Sequence, residues 1–270
     1  MLCGGLGNQL FGWAAGYSLS KKLEFELVLN TSQIELQKYQ LGELLLGDHQ
    51  INSASRPIMS SRRLSKFNPR VFVEKDFSHD AKFHNIADSK LLIGFFQSWK
   101  YFSTDIELIR ELATKLVNPS KEFLILNELI SENPPLIVHV RRGDYKEAAN
   151  FHGLAKKDYY DKALDHIREA SSDTNKTIVM SDEPHLAKKI VEGADLYIGP
   201  NDVKSPAENL ILMSKAKHLI GANSTFSLWA GILMENIQGI RIFPEPWFKH
   251  NSLNSNDLVP PEFKRVEANL

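Results

Sequence analysis

From Leu136 to Phe243 short apolar runs alternate with stretches of mixed residues, and this period constrains the fold more than anything else in the chain. The runs are Leu136-Ile137-Val138, Thr177 to Met180, Leu196-Tyr197-Ile198, His218 to Gly221 and Ile240 to Phe243. Between them the spacing predicts helices from Asp158, taken as an N-cap, to about Ala170, from His185 to Val191, from Pro206 to Lys215, and from the turn Ala222-Asn223-Ser224-Thr225 through Glu235. A further helix over Lys121 to Ile130 precedes the first run. Strands alternating with helices imply an α/β fold with a parallel, doubly wound sheet.

The first half is less regular. Met1-Leu2-Cys3 reads as the stub of a strand, Gly4 to Gln9 as a glycine turn, Leu10 to about Leu23 as a helix and Phe25 to Asn30 as a strand. The glycine spacing matches neither the dinucleotide fingerprint nor the P-loop. Residues 31–90 yield no element, Leu91 to Phe96 reads as a strand, and Tyr101 to Val117 as a helix with Asp105 near its start. Asn118-Pro119 ends that helix and is the expected boundary between domains 1–118 and 119–270. Asn251 to Asp257 reads as a surface tail or loop.

Composition removes several function classes. Lys and Arg total 32 against 33 Asp and Glu, a net charge of -1, so nothing global argues for nucleic acid or an anionic membrane surface. The single cysteine, Cys3, excludes an intrachain disulfide and a multi-cysteine zinc site. No apolar run approaches the roughly 20 residues that span a bilayer, and no basic segment with an apolar core opens the chain. The chain reads as soluble, in a reducing compartment.

Chemistry concentrates at three predicted strand ends. His139-Val140-Arg141-Arg142-Gly143-Asp144-Tyr145 follows the Leu136 strand and places two guanidiniums, an imidazole and a carboxylate where α/β sheets bind ligands. Paired arginines suit a phosphate or another anion; alternatively one of them pairs with Asp144 to pin a loop, and His139 is a core residue. Ser181-Asp182-Glu183-Pro184 and Asn223 to Ser227 follow two other strands. Each reads as an ordinary helix start or as a phosphate contact, since helix N-termini attract anions. No Asp-x-Asp or paired His/carboxylate spacing suggests a metal, so none is expected. His84, His166 and His218 read as surface or core residues.

Together these stretches resemble a known family. HVRRGDY at 139–145, GGLGNQLF at 4–11, FHG with a following YY at 151–160, SDE at 181–183 and LMSKAKHLIGANSTFSLWAG at 212–231 are similar to the α-1,2-fucosyltransferases of the H-antigen type, in the family's order, from residue 4 to about 247. The resemblance implies a GT-B architecture, two Rossmann-like domains facing across a cleft, with an acceptor side in 1–118 and a GDP-sugar side in 119–270. It implies metal-independent, inverting transfer of L-fucose from GDP-β-L-fucose, a substrate rather than a cofactor, to the 2-hydroxyl of a galactoside.

By the same resemblance Arg141 contacts the donor pyrophosphate, and Arg142 either joins it in the donor site or is structural. His139 and Asn209 lie near the guanine, and Asp182, Asn223, Ser224, Thr225 and Phe226 complete the donor cradle. Asn8 faces the fucose and the acceptor. The general base is open among Asp144, Glu147 and His152, with Glu147 favoured by the carboxylate that follows the arginine pair in core α-1,6 enzymes, and Asp144 divided between base and brace. Asn209 stands where the family has an acid, which weakens guanine selectivity or moves it to Glu208. Leu228 stands where an aromatic precedes Trp229. The late first strand implies a displaced start or a shortened version. Two rival readings remain: a related transferase with another GDP-sugar or linkage, and a nucleotide-sugar-binding module without turnover. The expected location is cytoplasmic, with peripheral membrane association through a lipid-linked acceptor.

Overall fold

A computed structural model describes residues 1–32, 34, 38–52, 69–143, 153–171, 176–250 and 253–270. It divides into two compact units, Met1–Val117 with Leu253–Pro260, and Asn118–Ser252 with Pro261–Leu270.

The second unit carries the regular alternation. After α-helix Lys121–Glu132 its strands are Leu136–Val140, Thr177–Ser181, Leu196–Ile198, His218–Ile220, Arg241–Glu245 and Lys264–Glu267. We call them βA to βF in that order. They form one sheet in the order βF-βE-βD-βA-βB-βC, and every pair is parallel. βA is buried at all of its residues, as expected of a central strand covered on both faces. The chain runs outward from βA in one direction to βC and then returns to build βD, βE and βF on the other side. The order therefore reverses between βA and βD, the place where open α/β sheets leave a crevice at their carboxyl ends.

Helices Lys157–Ala170, Pro184–Ala187, Pro206–Ser214 and Thr225–Leu233 connect the strands. Two differ from the reading by spacing. The first has Lys156, not Asp158, at its N-cap, and Asp158 is an acid in the first turn. The second is a single turn rather than a helix to Val191. βF was not foreseen: Lys264-Arg265-Val266-Glu267 buries only Val266, so its charged edge carries no apolar period.

Tyr159 and Tyr160, both fully buried, lock the helix over residues 157–170 beneath the sheet. The Tyr160 hydroxyl donates to the His139 carbonyl at 3.2 Å, and the Tyr159 hydroxyl donates to the Gly221 carbonyl at 2.6 Å. The ends of βA and βD thus hang from adjacent residues of one helix. Gly221 has a steric reason as well, because a Cβ there would lie 2.2 Å from the Phe243 ring. That ring cannot retreat, being stacked on Phe263 at 5.7 Å. Gly221→Ala is expected to cost at least about 2 kcal/mol, read as a lower urea midpoint; an unchanged midpoint would refute the close packing.

In the first unit the helix starts at Leu6 rather than Leu10 and runs to Leu23, so the glycine turn shrinks to Gly4 and Gly5. The strand after it is only Val28–Asn30, since Phe25 is exposed. It pairs in parallel with Gln50–Asn52, and Val71–Val73 pairs in parallel with Leu91–Ile93. Residues 1–3 are no assigned strand, yet the Met1 ammonium donates to the Leu92 carbonyl at 2.7 Å and Leu2 N–H to the Asn30 carbonyl at 2.9 Å. They bridge the two ladders. The expected helix over 101–117 is α-helical only from Ile106 to Ala113. Asp105 holds its N-cap position without a side-chain capping bond; its carboxylate instead accepts from the Ser18 hydroxyl and pairs with Lys21.

Leu253–Pro260 returns to this unit as an anchored loop rather than a tail. Asp257 pairs with Lys100 and accepts from His79 N–H at 3.1 Å, while its carbonyl accepts from the Ser98 hydroxyl at 2.9 Å. Leu258 and Val259 are buried.

Candidate active site

The reversal between βA and βD sets the candidate site. Val138 is in register with Ile220, so Arg141 and Asn223, each three residues further on, leave neighbouring strands together. On the other flank Val140 is in register with Ser181, which brings Arg141 and Asp182 side by side. Asp182 is the brace of the arginine loop. Its carboxylate accepts from Arg142 N–H at 2.8 Å and Gly143 N–H at 2.9 Å, and its Oδ2 lies 3.2 Å from Arg141 Nε. A carboxylate receiving two backbone N–H groups fixes the loop that aims the guanidinium, and these charge-assisted bonds are stronger than neutral ones.

The two arginines separate in role. Arg142 Nη2 donates to the Ala155 carbonyl at 2.8 Å, a bond within its own unit. Arg141 keeps its side chain about a quarter exposed, with its Nε edge toward Asp182. Asp144, Glu147 and His152, the candidate bases, lie outside the described residues.

Across the reversal, Ser224 is the N-cap of helix Thr225–Leu233, accepting from Phe226 N–H at 3.3 Å. This is the ordinary capping role, and it points the positive end of the helix dipole toward the carboxyl edge of the sheet. Thr225 and Phe226 follow as half-exposed residues of the first turn. Asn223 is buried and donates through Nδ2 to the Gly153 carbonyl at 3.2 Å and the Trp247 carbonyl at 3.3 Å, so its amide ties three loops together.

His139 stands between these groups. It is 4% exposed, and its Nδ1 finds no hydrogen-bond partner among the described residues. Its ring lies 5.7 Å from that of Phe226. Burial, and then the Arg141 charge, hold its pKa well below the usual range, with Asp182 opposing. The imidazole is therefore neutral at pH 7, a buried polar edge awaiting a partner.

Asn209 is half-buried in the helix over Pro206–Ser214. Glu208 is not available to replace it as a base reader. Its carboxylate accepts from Ser120 N–H at 2.6 Å, the Ser120 hydroxyl at 2.9 Å and Lys204 N–H at 2.7 Å, joining the starts of two helices. Leu228 is fully buried.

In the first unit, Gly4 takes φ +72° to turn the chain into its helix. Asn8 sits in the first turns of that helix, its Oδ1 accepting from Gln97 Nε2 at 2.8 Å. Gln9, which the sequence reading passed over, is wholly buried. Its amide donates to the Gly4 carbonyl at 2.8 Å and the Lys38 carbonyl at 2.7 Å, and accepts from Gln40 N–H at 3.0 Å.

Residues 4–265 match the model of glycosyl transferase family 11. The chain belongs to this family.

As a family 11 glycosyltransferase it is 32% identical to an α-1,2-colitosyltransferase of Escherichia coli, over 98% of this chain and 97% of that one. It is 27% identical to the O-antigen biosynthesis glycosyltransferase WbnK of Escherichia coli, over 93% and 95% of the two chains. It is also 27% identical to a galactoside 2-α-L-fucosyltransferase of Caenorhabditis elegans, over 98% of this chain and 74% of the relative. Among the described residues, no helix is long and apolar enough to cross a membrane, and no three His, Cys, Asp or Glu side chains gather as metal ligands.

Proposed function

We propose that this family 11 enzyme transfers L-fucose from GDP-β-L-fucose to the 2-hydroxyl of a galactoside, with inversion and without a metal, on a two-domain GT-B framework. The observation that carries the reading is the pairing of Arg141, braced by Asp182, with the N-terminus of helix Thr225–Leu233 at the sheet reversal. In transfer, the acceptor oxygen forms its bond to the fucose anomeric carbon as the bond to the β-phosphate oxygen breaks. GDP leaves with the electron pair. Negative charge grows on the pyrophosphate, and Arg141 with the helix end, where Ser224, Thr225 and Phe226 begin the turn, stabilises it. Such a preorganised donor is commonly worth roughly 3–4 kcal/mol in the transition state.

The neutral His139 edge, with Asn209 on the helix nearby in sequence to Glu208, is assigned to the nucleobase. Asn8 is assigned to the reacting sugars, and the acceptor proton to a carboxylate of the segment after Gly143, Asp144 or Glu147. The names of the relatives give two sugars to compare, fucose and colitose, each to be offered as its GDP-sugar. A lipid-linked glycan at the cytoplasmic face of a membrane suits a protein of this kind as acceptor.

The test incubates the protein with each GDP-sugar and lactose, N-acetyllactosamine or Galβ1,3 disaccharides, in excess EDTA, following GDP release and the linkage of the product. α-1,2-Fucosylated product at an undiminished rate in EDTA is expected. Strict Mg²⁺ or Mn²⁺ dependence would overturn the metal-free reading, a preference for GDP-colitose would reassign the donor, and tight GDP binding without turnover would make the chain a binding module.

A further inference from the structure

Glu74 follows the strand Val71–Val73, whose last residue is in register with Ile93 of its parallel neighbour. It therefore stands opposite the loop that leaves that neighbour, Gly94-Phe95-Phe96-Gln97. Its Oε2 accepts from both Phe95 N–H and Phe96 N–H at 2.8 Å. The approach is close enough that a Cβ on Gly94 would lie 2.5 Å from the Glu74 Cβ. Phe96 takes φ +53°, a left-handed conformation that a phenylalanine holds only when its surroundings impose it. Two things impose it here: the Glu74 carboxylate on its N–H, and the buried Phe96 ring packed edge-on against Tyr101 at 5.3 Å. The next residue, buried Gln97, is the one that holds Asn8.

We infer that Glu74 is a positioning residue for transfer, holding the 94–97 loop so that Gln97 sets the Asn8 side chain. The inference rests on the assignment of Asn8 to the reacting sugars. A continuous set of bonds runs from the carboxylate through the Phe95 and Phe96 N–H groups to the Gln97 amide and Asn8, all within one compact unit. The charge state of Glu74 should then be felt at Asn8, since an ionised carboxylate grips two N–H groups more firmly than a neutral one. Burial pushes its carboxyl up to about 7, against the pull of the Phe96 and Phe95 N–H groups and the Tyr101 hydroxyl, with Asp76 adding to the rise. Cys3 also faces it, from the residues that bridge the ladders.

Glu74→Gln keeps the shape and an acceptor oxygen but removes the charge. With the best donor and acceptor from the screen above, kcat is expected to fall about tenfold or more, as small misplacements at a reacting centre do, while GDP affinity by calorimetry stays unchanged. The wild-type acid limb of kcat near pH 7 disappears in the variant. Gln97→Ala leaves the carboxylate and loop in place and gives a similar loss with GDP affinity retained. Adding Glu74→Gln to Asn8→Ala costs nothing further, because both act through one group. Wild-type kcat and an unmoved acid limb in Glu74→Gln, with Asn8→Ala impaired, overturn the inference. Wild-type turnover in Asn8→Ala would instead overturn the assignment of Asn8, and amide hydrogen exchange then decides the role of Glu74. Faster exchange at residues 4–9 and 94–97 in Glu74→Gln supports the coupling, and unchanged exchange there overturns it.

Discussion

Arg141→Ala is expected to lower kcat by about 10²–10³-fold with the fold intact, which makes it the sharpest probe of the donor site. The side chain is partly exposed, and its loss leaves the Asp182 carboxylate still bonded to two backbone N–H groups. The thermal midpoint should therefore move little, since partly exposed ion pairs contribute about 1 kcal/mol or less. Arg141→Lys keeps the charge without the planar fork and should recover only part of the rate. Near-normal turnover in the alanine variant would remove Arg141 from the mechanism.

Asp182→Ala should damage both properties at once. It leaves the N–H groups of Arg142 and Gly143 without their acceptor and removes the carboxylate beside Arg141 Nε. Hydrogen bonds to a charged group contribute about 1.5–3 kcal/mol each, and water can reach this partly exposed loop, so a net loss of about 2 kcal/mol is the expected size. Turnover should fall nearly as far as in Arg141→Ala, because an unbraced loop no longer aims the guanidinium. Asp182→Asn retains one acceptor oxygen and should lie between. Urea unfolding and kcat, measured on the same preparations, check this; a variant that loses stability but keeps full turnover would separate the brace from the chemistry.

The contrast between the two residues shows what could be read from the chain alone. Alternating apolar runs revealed the six-stranded unit except for its last strand, because buried parallel strands are apolar along their whole length, whereas Lys264–Glu267 is an edge with one inward residue. The arginine pair was visible because guanidiniums at a strand end are unusual. The carboxylate of Asp182 beside it was harder to place, because 40 residues separate the two in sequence and only the parallel register of their strands brings Asp182 next to Arg141. Tyr159 and Tyr160 were visible only as part of a resemblance, and their hydroxyl bonds to two strand ends depend on helix packing that no local pattern encodes. Glu74 lies where the strands are three residues long, too short for a period of two to declare itself.

The return of Leu253–Pro260 has a bearing on synthesis. A ribosome that has finished residue 117 has not finished the first unit, because Leu258, Val259 and the Asp257 anchor emerge only after nearly all of the second unit. Domains commonly settle in the order in which they are made, but here the first unit is completed only after most of the second has been made. A nascent chain would carry a first unit with an open flank while the second is being made, and a nonsense mutation just before that loop would strike both units at once.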